Sequence, residues 1–250
     1  MSGHSKWSTI KRKKATVDAK RGQVFTRLAR EVAVAAKEGG GDPDINFGLR
    51  LAIDRARSSN MPKENIERAI KRGTGEGSDA AAFEQATYEG YAPHGVAVIM
   101  RVVTDNRNRA VSDIRHALSG SGGSLGEGGS VAWQFTNTAY FSFPADGKEE
   151  DEIFELAVEA GADDITFDED IFEIFGPVES FKKIIDSLRA ADIKPDESEL
   201  RMIPNQEISL DVDQTLQVLR VLEELDELDD IQTVYSNLHI SDEALAQLEA

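Results

Sequence analysis

The residues of this chain with the most legible chemistry are cations. Lys6, Lys11, Arg12, Lys13, Lys14, Lys20, Arg21, Arg27 and Arg30 fall within the first 31 positions, against only Asp18 and Glu31. Each can neutralise one phosphate of a polyanion, and binding built this way weakens steeply with salt. Trp7 sits inside the cluster. Its ring could stack on an unpaired base, or it could anchor the segment by burial. Arg50, Arg57, Arg68, Lys71 and Arg72 carry the bias onward, and together these fifteen residues are the candidate nucleic-acid-binding set. Residues 1–75 hold 17 Lys and Arg against 8 Asp and Glu, whereas residues 76–250 hold 11 against 38. A net charge of −18 and a pI near 4.6 therefore conceal a basic leading third carried on an acidic body. The partner matching that sign is nucleic acid, either DNA or ribosomal RNA. The acidic body reads as a solvated, solubilising surface, with Glu149–Glu152 and Glu223–Asp230 as helix ends. Alternatively it turns phosphates away from all but the basic face or meets basic proteins, such as those of a ribosome.

Other constellations are weaker. His4, His94, His116 and His239 have no metal-ligand spacing. Asp168-Glu169-Asp170 falls in a hairpin turn and lacks the spacing of a calcium loop. Asp105-Asn106-Arg107-Asn108-Arg109 stands at a strand-to-helix junction, where it could cap the helix or hold a phosphate at its N-terminus. The run Gly120–Ser130, GSGGSLGEGGS, lacks the Gly-Lys-Ser/Thr ending of a phosphate loop and follows no strand, so it reads as a flexible connection. There is no cysteine, which excludes disulfides, thiolate metal sites and a cysteine nucleophile. No catalytic residue, cofactor or metal site is assigned, and an enzyme lacks a supporting motif.

The elements that must position the cations read as three helices. Residues 1–20 have no periodicity to bury and form a basic arm that orders on a polyanion. Residues 21–77 carry apolar stripes at helical spacing. Val24, Phe25, Leu28, Ala29, Val32, Ala33 and Ala36 make the first, ended by Gly39-Gly40-Gly41. Leu49, Ala52, Ile53 and Ala56 make the second, begun at Asp42-Pro43-Asp44, and Ile66, Ala69 and Ile70 the third. Asn60 is a candidate cap for the third helix, Pro62 lies in its first turn, and Gly73 stops it.

Beyond the 73–79 linker the period becomes two. Strands are expected over Phe83–Gly90 and Gly95–Thr104, turned by Ala92-Pro93-His94, and a helix over Asn106–Leu118. From Val131 to Ile203 the order is strand, helix, strand, strand, helix, strand, which is ferredoxin-like. Gln206–Leu210, Val212–Leu225 and Ile231–Asn237 then supply strand, helix and strand. The fold class is accordingly α+β and multidomain: a three-helix module and two ferredoxin-like α/β domains, with 130–203 inserted into a domain made of 80–129 plus 204–240. The longest apolar run, Val96–Met100, is far short of a membrane span, and the start has no secretory h-region, so a cytoplasmic location without membrane is expected.

Long stretches also resemble a known family. GHSKWSTIKRKKATVDAKRGQVFTRLARE, GGGDPDINFGLRLAIDRARSSNMPKENIERAIKRGTGE, YEGYAPHGVAVIMRVVTDNRNRA, GGSLGEGGSVAWQF and ELRMIPNQEISLD are similar to the YebC family, described as transcriptional regulators. The resemblance runs over essentially the whole chain. It implies a small helical domain plus two α/β domains, one inserted in the other, and control of gene expression. The family also includes a mitochondrial translational activator of cytochrome c oxidase synthesis, and some bacterial members are linked to relief of ribosome stalling. The level of control, DNA-binding in transcription or RNA-binding by a ribosome-associated translation factor, is therefore left open. The resemblance implies no catalytic residues.

Overall fold

The computed structural model describes residues 18–76, 83–168 and 170–249. The first three helices are α1 (Asp18–Gly39), α2 (Phe47–Ser58) and α3 (Lys63–Gly73). Their stripes meet in one core of Val32, Ala36, Leu49, Ala52, Ile53, Ala56, Met61, Ile66 and Ala69. Four of these nine are alanine, which lets the backbones approach closely. At Gly73 an added Cβ would stand 2.1 Å from the carbonyl oxygen of Ala33. Gly73 therefore does more than stop a helix: it lets α3 lie against α1. Gly40, at φ 87°, ends α1 in the left-handed conformation that glycine adopts without penalty.

The caps differ from those expected. Asp42-Pro43-Asp44 forms a turn, and α2 begins later, where the Asn46 side chain accepts from Leu49 N at 3.0 Å and donates to the carbonyls of Ala35 and Gly40, each at 2.8 Å. Asn46 thus caps α2 and latches it to the end of α1. Asn60 does not cap α3. It takes φ 58° past the end of α2, and Pro62 stands immediately before α3.

The first sheet contains β1 (Glu84–Tyr91), β2 (Ala97–Thr104), β3 (Ser124–Leu125) and a late strand introduced below. Helix α4 (Arg107–Gly120) follows β2. The second sheet contains β4 (Phe135–Pro144), β5 (Asp164–Asp168), β6 (Ile171–Pro177) and β7 (Glu197–Pro204), with α5 (Glu150–Glu159) and α6 (Phe181–Ala190) between strands. Its order is β5-β6-β4-β7 with every neighbouring pair antiparallel, the split arrangement of a ferredoxin-like unit. The chain then adds β8 (Ile208–Ser209), α7 (Val212–Glu227), β9 (Ile231–Ser236), β10 (Leu238–His239) and α8 (Asp242–Glu249). Strand β9 joins β2, giving the first sheet the order β3-β1-β2-β9.

Three local expectations are corrected. The strand read over Gln206–Leu210 shrinks to β8, which pairs in parallel with β10 instead of extending the first sheet. The strand beside β1 at the edge of that sheet is β3, inside the glycine-rich run. That run is tied down: Glu89, 8% exposed, accepts from the backbone N–H of Gly129 at 2.7 Å and of Val131 and Ala132 at 2.8 Å. A turn of 3₁₀ helix at Ala132–Gln134 then precedes β4, so the expected strand start at Val131 moves to Phe135. Phe135 and Val131 pack with Ala97, Ile99 and Tyr235, joining the back of the first sheet to the base of the second.

Burial alone would push the Glu89 carboxyl up, but the three N–H donors outweigh it and hold the group below the ordinary carboxylate range. A carboxylate with a lowered folded pKa stabilises the fold above its unfolded pKa, and the contribution disappears as pH falls through the folded value. Glu89→Ala is expected to cost about 2–4 kcal/mol by stranding three backbone donors. Thermal unfolding between neutral and acidic pH checks this: the gap between wild type and variant should narrow on acidification, and a constant gap would contradict the assignment.

Candidate nucleic-acid interface

The structure sorts the fifteen candidate residues into unlike groups. Lys6, Trp7, Lys11, Arg12, Lys13 and Lys14 lie outside the described residues. Lys20 and Arg21 fall on the first turns of α1.

Arg27 and Arg30 do not face solvent as expected. Gln23, Arg27 and Arg30 form one stripe of α1, and that stripe meets the carboxyl end of α7. Gln23 donates to Glu227 O at 2.6 Å. Arg27 donates to Asp226 O and pairs with the Asp226 carboxylate at 3.5 Å. Arg30 donates to Asp229 O and pairs with Asp230 at 3.1 Å. The cause is the end of a helix: the last carbonyls of α7 lack intrahelical donors and carry the negative end of its dipole, and the acidic run through Asp230 adds to it. Asp226 and Asp230, read from sequence as part of a solvated helix end, are thus partnered. Asp230 also accepts from Thr104 Oγ1 at 3.0 Å and from Arg109 at 2.9 Å. Arg109 reaches back to Asp105 at 2.8 Å, while Asn106 caps α4 by accepting from Arg109 N at 3.1 Å. The 105–109 cluster therefore does the capping expected of it and, through Arg109, braces the joint.

Arg50 folds back on its own turn, donating to the carbonyls of Pro43 at 2.9 Å and Asp44 at 2.8 Å. Arg57, 69% exposed, stands 3.8 Å from Asp54, a geometry worth little in solvent. Arg68, Lys71 and Arg72 are exposed and share one face of α3 at i, i+3 and i+4. The Arg72 guanidinium lies 4.7 Å from the centroid of Phe83, and that of Arg30 lies 5.6 Å from it. Phe83 is buried, and its carbonyl accepts from Lys37 Nζ at 3.0 Å.

Sequence reasoning passed over Arg55. It joins α2 to both neighbours, pairing with Glu31 at 2.6 Å and with Glu199 of β7 at 3.3 Å. Arg201 pairs with Glu199 at 2.8 Å and Glu197 at 2.6 Å and stacks 3.6 Å from the Tyr140 ring, whose hydroxyl donates to Glu173 at 2.6 Å. Burial would push the Glu199 carboxyl up, but Arg201 and Arg55 hold it below its ordinary range. A signal for this face was present. Phe47, Leu51 and Arg55 repeat every four residues outside the bundle stripe; Phe47 meets Phe181 of α6 edge-on at 6.0 Å, and Leu51 packs on the second core.

Two family models match the chain. One, described as the TACO1/YebC protein N-terminal domain, covers residues 5–76, and the other, described as the TACO1/YebC second and third domain, covers residues 83–238. The chain is 50% identical over 250 residues to a "Probable transcriptional regulatory protein" of Acidithiobacillus ferrooxidans, covering 100% of this chain and 99% of the relative. It is likewise 50% identical over 248 residues to a protein of the same description from Rubrobacter xylanophilus, covering 99% of each. The crystal structure of a conserved hypothetical protein, Aq1575 from Aquifex aeolicus, superposes with a TM-score of 0.83 at 40% identity, covering 91% of this chain and 94% of that one. Among the described residues no helix is long and apolar enough to cross a membrane.

The joint between α1 and α7 makes a graded prediction. Asp230→Ala should lower the unfolding free energy by roughly 3–5 kcal/mol, because it leaves Arg30 and Arg109 without their shared buried carboxylate. Asp226→Asn, which leaves the Arg27 hydrogen bond to Asp226 O in place and removes only an ion pair at 3.5 Å, should cost about 1 kcal/mol or less. Equal losses in chemical denaturation would contradict the ranking.

Proposed function

This chain belongs to the TACO1/YebC family, and from that footing we propose that it is a nucleic-acid-binding regulator of gene expression, with DNA in transcription as its leading target. The observation that carries the proposal is the segregation of charge, 17 cations against 8 anions in residues 1–75 and 11 against 38 in the remainder. Residues 18–73 fold as one bundle with its own core, so the described part of that excess belongs to a single module. Arg57, Lys63, Arg68, Lys71 and Arg72 are among its outward cations, and the basic arm at residues 1–20 adds more. The printed names of the relatives agree with a regulator. Within this reading the acidic remainder repels phosphates and so directs the polymer to the basic module.

Phosphate contacts position a polymer without identifying it, so the test carries both DNA and RNA. Replacing Lys11, Arg12, Lys13 and Lys14 together with alanine is expected to weaken binding of either polymer. It should also flatten the dependence of log K on log salt by about 3–4, at close to 0.9 per lost contact on duplex DNA. Gel-shift titrations over a range of salt read both effects, and wild-type affinity and slope in the variant would overturn the proposal. Co-sedimentation of the protein with ribosomes at low salt would redirect the RNA arm toward translation.

A further inference from the structure

Helix α5 and strand β5 form the outer edge of the second sheet, and they keep apolar side chains in water. Phe154 is 56% exposed, Val158 50% and Phe167 43%. Phe154 and Val158 stand at i and i+4 on α5, so they share one flank of the helix. Ile153 and Ala157, one position before each, face the core instead. Strands β4 and β5 both run antiparallel to β6, so α5 is a crossover between strands of like direction. Such crossovers are right-handed, and that hand turns the Phe154 flank toward β5 and away from α6. On β5, Ile165 and Phe167 point to the face that carries α5. Ile165 packs on the second core, and Phe167 stacks on Phe172 at 4.7 Å. Beyond β5 the sheet has no further strand among the described residues. The three exposed side chains thus line one ledge.

The rim of the ledge has one sign. Residues 149–170 contain 11 Asp and Glu and no Lys or Arg. Glu150, Asp151 and Glu155 flank the apolar pair on α5, and Asp163 and Asp164 close its far end, all of them exposed. Lys148 and Lys183, at the two ends of α5, donate to the carbonyls of Ala145 at 3.3 Å and Glu159 at 2.6 Å. We propose that this ledge docks a basic amphipathic segment of a partner protein. Its aliphatic side chains would lie on Phe154, Val158 and Phe167, and its Lys and Arg on the surrounding carboxylates. An apolar centre inside a charged rim is the anatomy of a specific protein contact, and aromatic side chains are common anchors of one. Charge decides among the occupants. Nucleic acid and anionic lipid share the sign of the rim, and a second copy would bring the same carboxylates against themselves. The site is separate from the basic module and stands whether or not the nucleic-acid reading does.

The probe is a synthetic leucine–lysine peptide with its leucines at i, i+3 and i+4, set against a peptide of the same composition without the stripe. The chain has no cysteine, so the full-length protein takes a single environment-sensitive fluorophore at Glu155→Cys, beside the ledge, or at Ser119→Cys, on α4. The striped peptide should shift the emission of the first label and leave the second unchanged. In peptide anisotropy, Phe154→Ser should weaken binding roughly tenfold, the scale of an interface anchor, and Val158→Ser by less. Phe154→Leu, which keeps an apolar side chain, should retain most of the affinity. Both positions are half-exposed, and thermal melting checks that the variants are folded. Three results would each overturn the proposal: no binding of the striped peptide, equal binding of the two peptides, or wild-type affinity in Phe154→Ser. An equal response of the Ser119→Cys label would place the peptide elsewhere and do the same. Sedimentation showing a dimer that Phe154→Ser dissolves would give the ledge to a second copy. A Glu155→Cys label already shielded in the free chain, and released when Lys11, Arg12, Lys13 and Lys14 are replaced by alanine, would give it to the basic arm. Either of these last results rejects the partner protein.

Discussion

The arrangement of this molecule depends on how one helix ends. The end of α7 and the residues just past it present carbonyls without intrahelical partners, a negative dipole end and the carboxylates of Asp226 and Asp230. The α1 stripe of Gln23, Arg27 and Arg30 answers all three at once. Because α1 is also the helix against which α2 and α3 pack, this meeting seats the whole bundle on the first sheet. Arg109 carries it on to α4 through Asp230. The partners are about two hundred positions apart in sequence, so the joint exists only once both ends of the chain have folded.

A second, independent fastening holds the bundle to the other sheet. Arg55 spans from Glu31 to Glu199, and Arg201 with Tyr140 and Glu173 extends the chain of contacts across β7, β4 and β6. Such buried ionic chains add little net stability over an apolar equivalent, but each is costly to break on one side only. They fix orientation more than they strengthen cohesion. Glu89 does the same locally, binding a stretch rich in glycine to one conformation by its backbone N–H groups.

Much of the secondary structure was legible because periodicity is a local property. The stripes of α1 to α3, the β2 run of apolar residues and the order of strands and helices in the second sheet could all be read from spacing. What failed was whatever depended on distant partners. Arg27 and Arg30 lie off the apolar stripe of α1, and such a cation looks the same in sequence whether it meets water, a phosphate or Asp226 across the molecule. Glu89 is one carboxylate in an exposed-looking strand, and nothing nearby says that three N–H groups of the glycine run will converge on it. Asn46 and Asn60 show the same limit at short range: both are good capping residues, and only the fit against Ala35 and Gly40 decides which one caps. Of the candidate interface, the α3 face of Arg68, Lys71 and Arg72 was readable from helical spacing, and the Phe83 floor beneath it was not.

The pairing of Phe135 with Pro204 has a mechanical corollary. Strands β4 and β7 leave the vicinity of the first sheet side by side, hydrogen-bonded from the outset, so the chain departs and returns through a single two-stranded stem. The turns distal to that stem, near Asp146 and Asp170, do not carry the link between its two ends. The stem itself resists splaying, because separating the strands means breaking the eight-pair ladder between β4 and β7.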